Sequence, residues 1–156
     1  VYKRQGAEVC HVDASKGMVA RARENAELSG LSGNRIRYIV DDAFKFVARE
    51  LRRGNTYDAV IMDPPSYGRG PKGEIWKIED MIHPLIRLCA KILSKDALFF
   101  LVNSYTTGLA PAVLTYMIST ELKSWNGHVD SQEIGLPVTN SGLVLPCGAS
   151  GRWESR

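Results

Sequence analysis

The sequence is poor in the residues that build metal centres and covalent frameworks. Its three cysteines, Cys10, Cys89 and Cys147, are far apart and odd in number, which excludes a disulfide framework and the paired spacing of a structural zinc site. Each is expected in the interior as a small apolar side chain. None of the three histidines, His11, His83 and His128, pairs with a plausible nucleophile in the predicted elements, so hydrolysis by a Ser-His-Asp arrangement is not indicated. No cluster of His, Cys and acid suggests a metal. No apolar run is long enough to cross a bilayer, and no basic-then-apolar leader is visible; a reducing, cytoplasmic setting is the expectation. Repeats, low-complexity tracts and domain linkers are also missing. A strong charge of one sign is absent too. The net charge of +3 allows phosphate contacts at local clusters, Arg49, Arg52 and Arg53, then Arg69, Lys72 and Lys77, without demanding them.

What is present reads as one α/β domain. Apolar residues make up 44% of the 156, enough for a real core. Glu8–Val12 reads as a strand, and Asp13 and Ser15 suit a helix entry. Met18, Val19, Ala22, Ala26 and Leu28 recur at helical spacing until Gly30. Ile36–Val40 is a second strand, residues 43–53 a second helix closed by Gly54, and "YDAVIM" a third strand. A Gly/Pro-rich loop spans Pro64–Gly73. A helix follows over Ile78–Leu93, then Ala97–Asn103, a continuous apolar run of the kind found in strands covered on both faces. Pro111 suits the first turn of a helix ending near Leu122. "GHVDSQEIGLPV" and "GLVLPCGASG" read as two strands joined by "TNSG". Strands alternating with crossover helices predict a mostly parallel sheet, and the closing pair predicts an antiparallel edge.

Three successive strands run into carboxylates, Asp13, Asp42 and Asp63, about one β-α unit apart. Ligands of open α/β sheets bind outside the carboxyl ends of the strands, so all three acids are expected on one rim. An acid there is also a good helix cap. Asp13 suits the two hydroxyls of a ribose. Asp42, followed by Ala43 and Phe44, suits an exocyclic amine with cover for a ring. Asp63-Pro64-Pro65 is stiffened by two fixed φ angles. It predicts a rigid rim of acceptors, the Asp63 carboxylate and the Pro64 carbonyl, beside the aromatic face of Tyr67. Trp76 is expected to anchor the start of the following helix, and the charge of Arg69 and Lys72 is compatible with phosphate contacts.

With those residues in place, the pattern of Asp13, Asp42 and "DPPSYG" resembles the class I S-adenosylmethionine-dependent methyltransferases. More narrowly, "YDAVIMDPPSYGRGPKGEIWKIE" and "SGLVLPCGASGRW" are similar to a branch that includes bacterial large-subunit ribosomal RNA methyltransferases. The resemblance implies a Rossmann-like sheet over residues 6–153. It implies S-adenosylmethionine held by Asp13, Ala14, Ser15, Asp42, Ala43, Phe44 and Asp63. It also implies a catalytic pocket of Asp63, Pro64, Pro65 and Tyr67, with RNA as partner.

Two departures from that pattern matter. The family begins with a central strand and a Gly-rich turn, which nothing before Gly6 supplies. The chain is therefore expected to be an incomplete reading frame or part of a longer protein, with the first strand of the sheet lacking and cofactor affinity impaired. Family members that methylate carbon 5 of cytosine carry a cysteine after the next strand, where this chain has Asn103, Ser104 and Tyr105. The resemblance thus speaks against the cytosine carbon reaction and implies transfer to a nitrogen or to an unassigned acceptor. Two other readings stay open: a non-catalytic RNA-binding or assembly module on the same fold, and a nicotinamide oxidoreductase, which shares the ribose acid but has no use for the proline rim.

Overall fold

The computed structural model describes residues 6–33, 35–70 and 73–156. Lys72, whose charge is compatible with phosphate contacts, lies outside the described residues, as does the segment before Gly6. The chain divides into two compact units, Val1–Arg49 and Glu50–Arg156.

The first unit holds β1 (Val9–Asp13), α1 (Lys16–Leu28), β2 (Ile36–Val40) and most of α2 (Ala43–Arg53). β1 and β2 are parallel and in register, from Val9 opposite Ile36 to Asp13 opposite Val40. Ser15 caps α1, its hydroxyl accepting from the Met18 amide at 3.3 Å. Gly30 and Gly54, both with φ near 70°, take the left-handed conformation that ends a helix and that side chains resist. The sequence signals for β2 and α2 therefore match the observed boundaries.

The second unit holds β3 (Ala59–Met62), β4 (Tyr67–Arg69), β5 (Ile75–Lys77), α3 (Ile78–Ala90), β6 (Phe99–Ser104), α4 (Pro111–Glu121), β7 (Gly127–Pro137) and β8 (Val144–Ser155). Its main sheet has the order β3-β6-β8-β7. β3 and β6 are parallel; β8 pairs antiparallel with both β6 and β7, which is the expected antiparallel edge. β6 is less covered than its apolar run predicts. Phe100, Val102 and Ser104 are buried, but the alternate residues are half-buried, so only one face is sealed.

That sealed face is the core. Phe100, Val102, Ile82, Ile86, Leu114 and Ile118 are completely buried, each contributing about 1.5–3 kcal/mol of burial. α4 packs on β7 and β8, and α3 packs on α4. The approach of α4 to the sheet is close at Gly151, where a Cβ would lie 2.8 Å from the Cβ of Leu114 and 2.9 Å from Cδ1 of Ile118. Only hydrogen fits there. Between α3 and α4, Glu121 accepts from His83 Nε2 at 2.7 Å and from Arg87 Nε at 3.0 Å. No helix of the described residues is long and apolar enough to cross a membrane.

Candidate active site

In the first unit, the two expected acids sit together at the carboxyl end of β1–β2. The Asp41 amide donates to the Asp13 carbonyl at 3.0 Å, which locks the two strand ends side by side. Each acid also stands at a helix start. Asp13 Oδ1 accepts from the Ser15 amide at 2.6 Å, and Asp42 Oδ1 accepts from the Lys45 amide at 2.9 Å. Asp42 thus caps α2, while Asp13 holds the amide of Ser15, the cap of α1; each role uses one carboxylate oxygen. The second oxygen of each has no hydrogen-bond partner among the described residues. Ala14, Ser15 and Ala43 are exposed beside them, and Phe44 is half-buried. The adjacent Asp41 is engaged elsewhere, in an ion pair with Arg49.

In the second unit, Asp63 follows the last residue of β3, at the carboxyl end that β3 shares with its parallel neighbour β6. Its side chain reaches solvent, yet partial burial raises its carboxyl above the ordinary carboxylate range. The loop that follows is tied down at three points. Trp76 Nε1 donates to the Pro65 carbonyl at 2.5 Å. The Ser66 and Thr106 hydroxyls share a hydrogen bond of 2.6 Å. The Ile78 amide, opening α3, donates to the Ser66 carbonyl at 3.1 Å. Trp76 therefore anchors the loop as well as the helix start. The Pro64 carbonyl carries no such bond among the described residues, so it stays available as an acceptor next to Asp63.

The Ser66–Thr106 bond connects the loop to a cleft of about 430 Å³ beyond the carboxyl end of β6, within the size range of small-molecule sites. Tyr105, Thr106 and Thr107 form one wall, and Glu133, Cys147 and Gly148 of the β7–β8 hairpin form another. No cation lines it. Cys147 Sγ donates to the Ile134 carbonyl at 3.3 Å. Of the three cysteines only Cys89 is fully buried, and burial pushes its thiol up to about 12; Cys10 and Cys147 are half-buried.

Sequence reading did not find Glu133 or Cys147 as cleft residues. Antiparallel pairing sets Ile134 opposite Gly148, and a bulge follows at Ile134/Gly135. No local motif marks that juxtaposition. Asp63, Pro64 and Pro65 are not among the cleft-lining residues, and neither is Tyr67. Tyr67 lies on β4, 51% exposed.

Comparison with known proteins yields one family. The model described as S-adenosylmethionine-dependent methyltransferase matches residues 3–126. A protein of Methanocaldococcus jannaschii, provisionally named a ribosomal RNA large subunit methyltransferase, is 35% identical over 149 residues, covering 92% of this chain and 38% of its own length. Ribosomal RNA large subunit methyltransferase I of Aeromonas hydrophila is 35% identical over 69 residues, 43% of this chain and 17% of that protein. The crystal structure of a SAM-dependent methyltransferase from Agrobacterium tumefaciens superimposes with a TM-score of 0.91 at 37% identity, covering 99% of this chain and 51% of that one. The chain thus spans about half the length, or less, of these relatives.

Proposed function

The chain belongs to the S-adenosylmethionine-dependent methyltransferase family, and from that premise we propose that it serves methyl transfer to a base of structured ribosomal RNA, at a nitrogen. The observation that carries the reading is the fastened Asp63-Pro64-Pro65 loop at the carboxyl end of β3, which offers two acceptors and is tied through Ser66 to Thr106 on the wall of the cleft.

The residues at the end of β1–β2 fit the cofactor. A ribose offers two hydroxyl donors and an adenine one exocyclic amine, and Asp13 and Asp42 each keep one carboxylate oxygen for such donors. Ala43 and Phe44 supply apolar cover for a ring. Bound there, S-adenosylmethionine supplies a methyl group activated on sulfonium sulfur.

The chain's own residues have simple tasks. The Asp63 carboxylate and the Pro64 carbonyl accept hydrogen bonds from an amine and so aim its lone pair. As nitrogen gains positive charge, the same oxygens disperse it. The three ties on the loop hold these acceptors still, so little reorganisation is needed. A base in folded RNA must leave its stack to reach them, and Arg69 meets a flanking phosphate in this reading.

The cleft supports nitrogen over cytosine carbon 5. The carbon reaction needs a thiolate nucleophile, and thiolates are stabilised by neighbouring cations or helix N-termini. Cys147, the one thiol lining the cleft, gives its hydrogen to a carbonyl and shares the wall with the Glu133 carboxylate.

The test is methyl transfer from labelled S-adenosylmethionine to ribosomal RNA, followed by nucleoside mass spectrometry. A base methylated at nitrogen is expected, undiminished in Cys147→Ser. A 5-methylcytosine product lost in Cys147→Ser overturns the nitrogen assignment. Cofactor binding without any methylation, with RNA binding intact, supports the non-catalytic module instead.

A further inference from the structure

The loop after Asp63 contains a hairpin that the mechanism does not use. β4 and β5 pair antiparallel, Tyr67 opposite Lys77, Gly68 opposite Trp76 and Arg69 opposite Ile75. Side chains alternate between the faces of a strand and directly opposed residues share a face. Gly68 and Trp76 therefore form the inner face, and both are half-buried. Trp76 bonds the Pro65 carbonyl from this side, and a Cβ on Gly68 would meet the Trp76 Cβ at 3.7 Å and Pro65 Cγ at 3.9 Å. Tyr67, Arg69, Ile75 and Lys77 form the outer face, and all four are exposed.

That outer face is a small, specific surface. Tyr67 is 51% exposed and Ile75 55%, so an aromatic ring and an aliphatic chain lie open to solvent on three-residue strands. Cations flank them on both strands. Arg69 Nε donates to the Tyr67 hydroxyl at 2.9 Å, which fixes the phenol against the guanidinium and turns the rest of its fork outward. Neither the terminal nitrogens of Arg69 nor the Lys77 ammonium has a hydrogen-bond or ion-pair partner among the described residues. Glu74 falls on the inner side, where its Cδ would lie 3.1 Å from a Cβ on Gly70, so alternation keeps this acid off the outer face.

We infer that the outer face of the β4–β5 hairpin binds a single-stranded RNA segment next to the acceptor base, one base stacking on Tyr67 and the adjoining phosphates paired with Arg69 and Lys77. This rests on the RNA-substrate reading above, and it assigns Tyr67 to a flanking nucleotide rather than to the acceptor. The argument is chemical complementarity. Stacking on an aromatic face with phosphates held by cations is how single strands are gripped without duplex pairing. A duplex presents no free base faces. An acidic peptide would use the two cations but leave the ring idle.

The experiment is fluorescence anisotropy with a labelled single-stranded RNA of about ten nucleotides, within the site sizes of single-strand grooves. The same sequence as a duplex and a polyglutamate peptide are the comparators. Tyr67→Ala is expected to weaken single-strand binding about 5- to 150-fold, the range for loss of one base stack. Tyr67→Phe keeps the ring and is expected to keep most of the affinity. Lys77→Gln is expected to lower the salt dependence by about 0.7 in log–log slope, one phosphate contact on a single strand. All these side chains are exposed, so the fold is not at risk. An unchanged affinity in Tyr67→Ala, or binding of polyglutamate as tight as of RNA, overturns the inference. S-adenosylhomocysteine titrations of the same variants separate the readings, since their cofactor affinity should stay at the wild-type value. Cofactor binding and methyl transfer that persist while Tyr67→Ala leaves RNA binding unmoved sink this inference alone.

Discussion

Glu50 offers the sharpest energetic test. Its side chain is completely buried, which carboxylates tolerate only when hydrogen-bonded or paired. Tyr57 donates its hydroxyl at 2.6 Å, Asn55 its Nδ2 at 3.0 Å and Arg53 a terminal nitrogen at 3.1 Å. The Asn55 amide also closes the helix end on the Glu50 carbonyl at 3.1 Å. The group joins the last turn of α2 to the chain entering β3, upstream of Asp63. Arg53 is 60% exposed, so its ion pair is screened and contributes little. The weight falls on Tyr57 and Asn55, whose bonds to a charged acceptor are worth about 1.5–3 kcal/mol each. Glu50→Ala leaves both donors without this acceptor, at about 1–3 kcal/mol each, so a loss of about 2–6 kcal/mol is expected. That is a large share of the roughly 5–15 kcal/mol by which domains are stable. Glu50→Gln keeps the shape and one acceptor oxygen, and a loss of about 1–2 kcal/mol is expected. Urea unfolding followed by tryptophan fluorescence measures both. A cost below about 1 kcal/mol for Glu50→Ala would refute the claim that this buried acid organises the entry to β3.

Four further outcomes are expected. Gly151→Ala should destabilise by about 1–3 kcal/mol, as overpacking does, because its Cβ would meet Leu114 and Ile118; thermal unfolding reads this. Asp63→Asn should abolish methyl transfer while leaving stability unchanged or slightly raised at neutral pH. The raised folded pKa of Asp63 means that stability falls as pH climbs from the ordinary carboxylate pKa through the folded one, and Asn removes that loss; paired activity and melting measurements check it. Glu121 behaves oppositely. Burial works against its charge, but hydrogen bonds and charge from Arg87 and His83 outweigh burial and lower its pKa. Its contribution is present above the unfolded pKa of about 4.3 and fades as pH drops through the folded value, so Glu121→Gln should narrow the acid-stability gap that wild type shows in unfolding curves. Finally, Cys89, its thiol raised to about 12, should resist maleimide at about pH 8 until the protein is denatured, as counted by mass spectrometry.

Much of the fold was legible because local signals and tertiary context agreed. Asp42 opens α2 and Gly54 closes it, and both act through backbone geometry that any context would reward. α3 was expected to reach Leu93 but ends at Ala90, since Ile92 and Leu93 are buried in a turn whose carbonyl at Ile92 is taken by the Tyr57 amide. The β4–β5 hairpin is hard to see in sequence because glycine and proline dominate Pro64–Gly73. Its signal was the alternation in Tyr67-Gly68-Arg69 and Ile75-Trp76-Lys77, too short to outweigh the breakers. For the site, the strand-end acids and the proline loop stood out in sequence because strand ends are local features. Glu133 and Cys147 did not, because a bulge in a long hairpin decides where they point.

The central claim is that Asp13 and Asp42 serve one nucleoside ligand. The direct measurement is calorimetric titration with S-adenosylhomocysteine of wild type, Asp13→Asn and Asp42→Asn. Asparagine keeps the helix-start bonds, so only the charge offered to the ligand changes. A loss of about 10- to 150-fold in affinity for each variant is predicted, as for a hydrogen bond to a charged group. Affinity equal to wild type in both variants would contradict the account.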